Sequence, residues 1–163
     1  IKRPPRVVSG CGDDPVDFGH VGDIAAITTE PLRLLLEAGF VPVLNSLGAD
    51  RAGNAYNINP DIAAARVASA LHADHLILVT GKVPGVLGDP TDPGTRIPIL
   101  TASAARQAIA DAIIVGGMIP KIEESLRVLE DGVGAIHIIG AVGPGHILQA
   151  IATPGAFGTA LVA

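Results

Sequence analysis

The chain has 163 residues, is 48% hydrophobic and 17% charged, and carries a net charge of −5. That length suits one domain with a core large enough to need no disulfide or structural metal, and a mean hydropathy of +0.48 excludes intrinsic disorder. Eleven Lys and Arg against sixteen Asp and Glu, with only Phe18, Phe40, Tyr56 and Phe157 as aromatics, exclude a cationic or base-stacking nucleic-acid binder.

Residues 1–23 are rich in Pro, Gly and Asp and read as an irregular tail or linker. The single cysteine, Cys11, forbids an intrachain disulfide and a Cys-based metal site. It fits a reducing, cytoplasmic setting. From residue 24 onward, apolar strands and helices alternate as one domain, 24–163. A helix is expected over Thr29–Glu37, with Pro31 in its first turn, Gly39 at its stop and Leu32, Leu35 and Leu36 as its buried stripe. Phe40–Leu44 reads as a buried strand and Gly48–Tyr56 as a hairpin excursion. Asn59 caps a second helix, Asp61–Leu71, with Pro60 at its first position. His75–Thr80 is the clearest strand. A loop over Gly81–Arg96 follows, then a short extended piece, Ile97–Leu100, and a helix from Thr101 through Ala110.

Ile113–Gly117 runs as an apolar strand into a glycine turn. Ile119–Glu130 is amphipathic, with Ile122, Leu126 and Leu129 on its apolar face and Glu123, Glu124 and Arg127 on its polar face. Ala135–Ile139 is a strand, Gly145–Ala152 a helix and Thr159–Val162 a last strand. Val133–Ala152 is the stretch nearest to a membrane span, but His137, Pro144, His146 and its glycines suit a strand, loop and helix better, so no membrane partner is expected. This alternation predicts an α/β fold, a three-layer sandwich around a mainly parallel sheet. In such sheets ligands sit at the carboxyl ends of strands.

Three clusters fall at such ends. Asn57-Ile58-Asn59-Pro60-Asp61 concentrates two carboxamides and a carboxylate at a helix start, either to meet an anionic substrate or simply to cap the helix. Gly116-Gly117-Met118-Ile119-Pro120-Lys121 puts a flexible turn before a lysine near a helix start. An anion such as phosphate would rationalise it; a surface lysine after a glycine turn is the plainer alternative. Thr80-Gly81-Lys82-Val83-Pro84-Gly85 could line a nucleotide pocket or be a structural loop. His137 reads as a satisfied core residue, and His72 and His75 as a surface turn. A P-loop, a complete dinucleotide fingerprint and a metal-ligand set are all missing from the sequence.

Taken together, these segments resemble the amino-acid kinase family, and within it the branch that phosphorylates N-acetyl-L-glutamate. Asn57–Asp61 is similar to the family's Asn-x-Asn-Ala-Asp signature, Gly116–Lys121 to its Gly-Gly-Met-x-x-Lys signature, and His75–Leu87 to its strand and loop beside the nucleotide. The resemblance implies MgATP as phosphoryl donor, the γ-carboxylate of N-acetyl-L-glutamate as acceptor, and a place in arginine biosynthesis. It implies Lys121 and Asp61 as catalytic residues, Asn57 and Asn59 at the substrate, and Thr80, Lys82, Gly116, Gly117 and Met118 at the nucleotide. It also implies that the family's other half, with a second lysine and a substrate-binding arginine, precedes this stretch. The stretch alone would then be weak or inactive, and the full-length form a homo-oligomer. Two departures stand out: Gly81-Lys82 where the family carries Asp after the position of Thr80, and Gly140-Ala141-Val142 where it carries Asp-Gly-Arg. They raise a second reading, a non-catalytic nucleotide-binding or regulatory module.

Overall fold

The computed structural model describes residues 1–7, 12–81, 83–140 and 143–163. The chain divides into two compact units, Ile1–Val67 and Ala68–Ala163.

In the first unit, residues 2–7 and 12–22 are joined through antiparallel bridges Arg6↔Val16 and Lys2↔Gly22. The Arg3 guanidinium meets the Asp23 carboxylate at 2.5 Å, and that contact holds the Asp23 carboxyl below its usual range. Helix α1 spans Glu30–Glu37 with Pro in its first turn. Strands β1 (Leu47–Ala49) and β2 (Ala55–Asn57) pair antiparallel with Gly48 opposite Tyr56. Asp50 closes this hairpin by accepting bonds from the Asn54 amide nitrogen, the Ala52 and Asn54 backbone and the Tyr56 hydroxyl. Those donors, Asn54 foremost, lower its carboxyl to about 2. Helix α2 follows at Pro60–Leu71. The Asn59 side chain accepts from the Asp61 and Ile62 amides at 2.9 and 3.4 Å, an N-cap in geometry.

The second unit is built on a sheet of four strands: β3 (His75–Val79), β4 (Ile99–Thr101), β5 (Ala135–Ile139) and β6 (Thr159–Val162). Its spatial order is β3-β5-β6-β4. The β3–β5 and β4–β6 pairs are parallel and the β5–β6 pair is antiparallel, so the sheet is mainly parallel. Every residue of β5 is buried, as both faces of a central strand must be when layers cover them. Helix α3 (Ala102–Ala110) packs on β4, and α4 (Met118–Glu130) packs on β5 and β6. The Thr101 hydroxyl caps α3 through the Ala104 amide at 3.2 Å. Helix α5 covers His146–Ala152, with Gly145 before it in the left-handed region that glycine tolerates best. The 133–152 stretch therefore holds a strand at Ala135–Ile139 and a helix at His146–Ala152, and no described helix is long and apolar enough to cross a membrane.

Five readings from sequence need correction. Phe40–Leu44 is not a strand: Pro42 offers no donor, and no described strand lies beside the run to pair with it. The expected stripe of α1 is not buried; Leu35 and Leu36 stay 43% and 48% exposed, because nothing described covers that face. Ile113–Val115 is a bend, not a strand, because the chain reverses straight out of α3 through Ala112, whose φ is +56°. Glu124 is buried rather than on a solvated face; it accepts from the Arg127 guanidinium at 2.9 Å, so the arginine carries the pair to water. His137 is only half satisfied: its Nε2 lies 3.1 Å from Nδ1 of His75, while its own Nδ1 is buried without a partner among the described residues.

Candidate nucleotide site

The carboxyl end of β3 is tied to β5 by Thr80. Its amide donates to the Ile139 carbonyl at 2.7 Å, and its hydroxyl reaches the Ile139 and Val83 carbonyls. The turn that follows is drawn under β6 by Thr159. The Thr159 hydroxyl accepts from the Val86 amide at 2.8 Å and donates to the Ile97 carbonyl at 2.6 Å. Gly85 is required there, since a Cβ on it would stand 2.6 Å from the Thr159 hydroxyl.

These constraints open a cavity of about 590 Å³ beside the end of β3. Val79, Val83, Val86, Leu87, Ile113 and Met118 supply apolar wall, while Thr80, Gly117 and Lys121 bring polar groups to it. Gly116 sits between the lining residues Val115 and Gly117, with φ +59°, a conformation that favours glycine. The turn it makes starts α4. The Met118 and Ile119 amides donate back to the Val115 and Gly116 carbonyls at 3.3 and 3.2 Å, and Pro120 has no amide hydrogen. Positive charge at this mouth therefore rests on the half-buried Lys121 more than on helix-start amides.

Of the residues singled out from sequence, Thr80, Gly117, Met118 and Lys121 thus share one cavity in the second unit. Asn57, Asn59 and Asp61 lie together at the β2–α2 junction of the first. Asn57 is exposed, and its backbone is fixed on both sides, donating to the His20 carbonyl at 2.8 Å and accepting from the Gly22 amide at 3.0 Å. Lys82 lies outside the described residues, as do Ala141 and Val142. The apolar wall contributed by Ile113, Ile114 and Val115 was missed by sequence reasoning, which placed them in a strand. The apolar Ile113-Ile114-Val115 run directly before Gly116-Gly117 was the available signal.

The two glycine departures differ physically. A Cβ at Gly81 would meet nothing within 4 Å, whereas one at Gly140 would press on the Pro84 Cα at 3.2 Å and the Val83 carbonyl at 3.3 Å. The Val83–Pro84 segment would have to give by a few tenths of an ångström to admit a side chain at 140.

A mainly parallel α/β sheet with an apolar cleft at a strand's carboxyl end has the layout of an α/β ligand-binding fold. Residues 5–140 match the model of the amino acid kinase family, and the chain belongs to that family. It is 49% identical over 162 residues to an acetylglutamate kinase of Anaeromyxobacter dehalogenans, covering 99% of this chain and 59% of that relative. It is likewise 49% identical to an acetylglutamate kinase of Sorangium cellulosum, covering 57% of it. Among solved structures, N-acetylglutamate synthase from Neisseria gonorrhoeae, complexed with coenzyme A and L-arginine, superposes with a TM-score of 0.80 at 29% identity. That match covers 98% of this chain and 35% of the other. The chain therefore spans somewhat more than half the length of the curated relatives it matches.

Proposed function

We propose that this chain is the ATP-binding portion of an acetylglutamate kinase, phosphorylating the γ-carboxylate of N-acetyl-L-glutamate in arginine biosynthesis. The observation that carries the proposal is the cavity at the end of β3. Its apolar walls suit a nucleobase, and Lys121 lies where a phosphate would need a cation. In this reading the substrate carboxylate oxygen attacks the γ-phosphorus of MgATP. The bond from that phosphorus to the β–γ bridging oxygen breaks, and ADP departs with the bond's electron pair. Such a transfer asks mostly for positioning and charge stabilisation. Lys121 offsets charge on the transferring group, and Asp61 orients cationic side chains. Asn57 and Asn59 bind the acceptor, Asn59 through whatever capacity its cap leaves. Thr80, Lys82, Gly116, Gly117 and Met118 border the nucleotide.

The match covers 59% of the first relative, and electrostatic catalysis needs a full set of donors; the stretch alone is accordingly slow or inactive. The proposal extends to a cytoplasmic, homo-oligomeric protein in its complete form. Coupled measurement of ADP release, with N-acetyl-L-glutamate as acceptor, tests it. Residual turnover or ATP binding should fall at least tenfold in Lys121→Ala. An unchanged ATP affinity in that variant would remove the basis for the assignment.

A second reading, a nucleotide-binding module without catalysis, is favoured by one observation: at Gly140, where the resemblance leads one to expect a carboxylate, a Cβ would sit tightly against the Val83–Pro84 backbone. Calorimetry separates the two, since the module binds ATP but not N-acetyl-L-glutamate.

A further inference from the structure

Of the chain's arginines, all of them described, only Arg3 and Arg96 are half-buried. Arg3 meets the Asp23 carboxylate at 2.5 Å. Arg96 meets no carboxylate among the described residues. Its Nη1 donates to the Gly155 carbonyl at 2.9 Å and to the Gly158 carbonyl, which engages both hydrogens of that nitrogen. The Nε–Nη2 edge has no acceptor among the described residues. That edge of the guanidinium fork can grip an oxyanion with two parallel bonds. A cation drawn partly out of water without a counter-charge is costly, and two carbonyl dipoles offset only part of the cost.

Arg96 lines a hollow of about 440 Å³, the size of a small-molecule site, and is the one charged side chain among its described lining. Val83, Pro84 and Phe157 give apolar wall, and Gly81 and Gly140 leave room by carrying no side chain. Phe157 packs against His146, with ring centroids 4.1 Å apart. The hollow adjoins the cavity at the end of β3, since Gly81 and Val83 line both; Lys121 belongs to the cavity alone and Arg96 to the hollow alone. We propose that this hollow is a second ligand site, for a small carboxylate with an apolar body. The carboxylate pairs with the Nε–Nη2 edge of Arg96, and the body lies against Phe157 and Pro84. One guanidinium matches the single charge of a carboxylate. A phosphate, carrying close to two charges at neutral pH, would leave charge uncompensated between apolar walls.

The test follows amide chemical shifts of the labelled chain during titration with phenylacetate, with neutral 2-phenylethanol and with inorganic phosphate. Phenylacetate should give saturable shifts at Phe157 and Gly158 in the millimolar range, and ATP should not displace it. Arg96→Gln should weaken this binding at least tenfold. Because that variant also loosens the Gly155 and Gly158 carbonyls, Gly81→Asp serves as a second probe. A Cβ there meets nothing within 4 Å, and the added carboxylate sets a like charge at the hollow. Gly81→Asn, equal in shape without the charge, should bind phenylacetate at least tenfold more tightly than Gly81→Asp. No saturable shift overturns the proposal, as does equal binding of 2-phenylethanol, tighter binding of phosphate or displacement by ATP. Binding that ignores both Arg96→Gln and Gly81→Asp overturns it too. Should ATP fail to bind at all, that bears on the proposed activity, and the phenylacetate shifts still decide this site.

Discussion

His75 and His137, from neighbouring parallel strands, share one imidazole–imidazole contact at 3.1 Å, and it is the only side-chain hydrogen bond His137 makes among the described residues. Burial first, and then the charge of His75, pull the His137 imidazole below its ordinary value of 6.5. The unfolded chain therefore takes up a proton at higher pH than the folded one. Stability from this residue is complete above about 6.5 and declines as pH falls from there toward the folded value. Urea denaturation between pH 7.5 and 5 should show a steeper loss for the native chain than for His137→Gln; equal slopes would exclude this source.

Asp50 gives the opposite chemical case with the same direction. Its carboxyl is lowered to about 2 by Asn54 and the hairpin donors. What the carboxylate contributes is present above about 3.8 and lost as pH drops through about 2. The difference in melting temperature between the native chain and Asp50→Asn should shrink across that window. A difference that is constant from pH 5 to 2 would contradict it.

Thr159 is fully buried and uses its hydroxyl twice, toward Val86 and Ile97. Replacement by Val keeps the shape but strands a buried amide and a carbonyl. Unfolding free energy should fall by about 2–4 kcal/mol, while Thr159→Ser should lose much less. Chemical denaturation of the two variants reads this directly.

Gly81 and Gly140 make a paired prediction. Gly81→Asp has open space and should fold with nearly native stability. Gly140→Asp must push the Val83–Pro84 backbone back by a few tenths of an ångström and should lower the melting temperature relative to Gly81→Asp. If both variants melt alike, the packing difference between the two positions is immaterial.

The contrast between β5 and the 40–44 run explains what could be read in advance. Ala135–Ile139 and Thr159–Val162 are bounded by glycines at 134, 140 and 158, and both strands form as their sequence suggests. Asn59-Pro60 and Thr101 mark helix starts through local geometry, which sequence carries well. Phe40–Leu44 has equal apolar character, yet a strand exists only when something pairs with it, and pairing is not a local property. Ile113–Val115 failed for a related reason, since a tight reversal after α3 decided their course. At the site, Gly116-Gly117 and Lys121 were legible because a glycine turn and a cationic side chain are written in residue type. The apolar wall, and the packing of Pro84 against Gly140, depend on segments far apart in sequence.

The placement of β6 has a consequence for how the second unit comes together. It lies between β5, to which it is antiparallel, and β4, to which it is parallel. During synthesis β4 must therefore wait, unpaired, from Ile99 until Thr159–Val162 has left the ribosome. A keystone inserted so late makes sheet closure all-or-none, and a cut anywhere between Thr153 and Thr159 should release β4 from the rest rather than merely fray an edge.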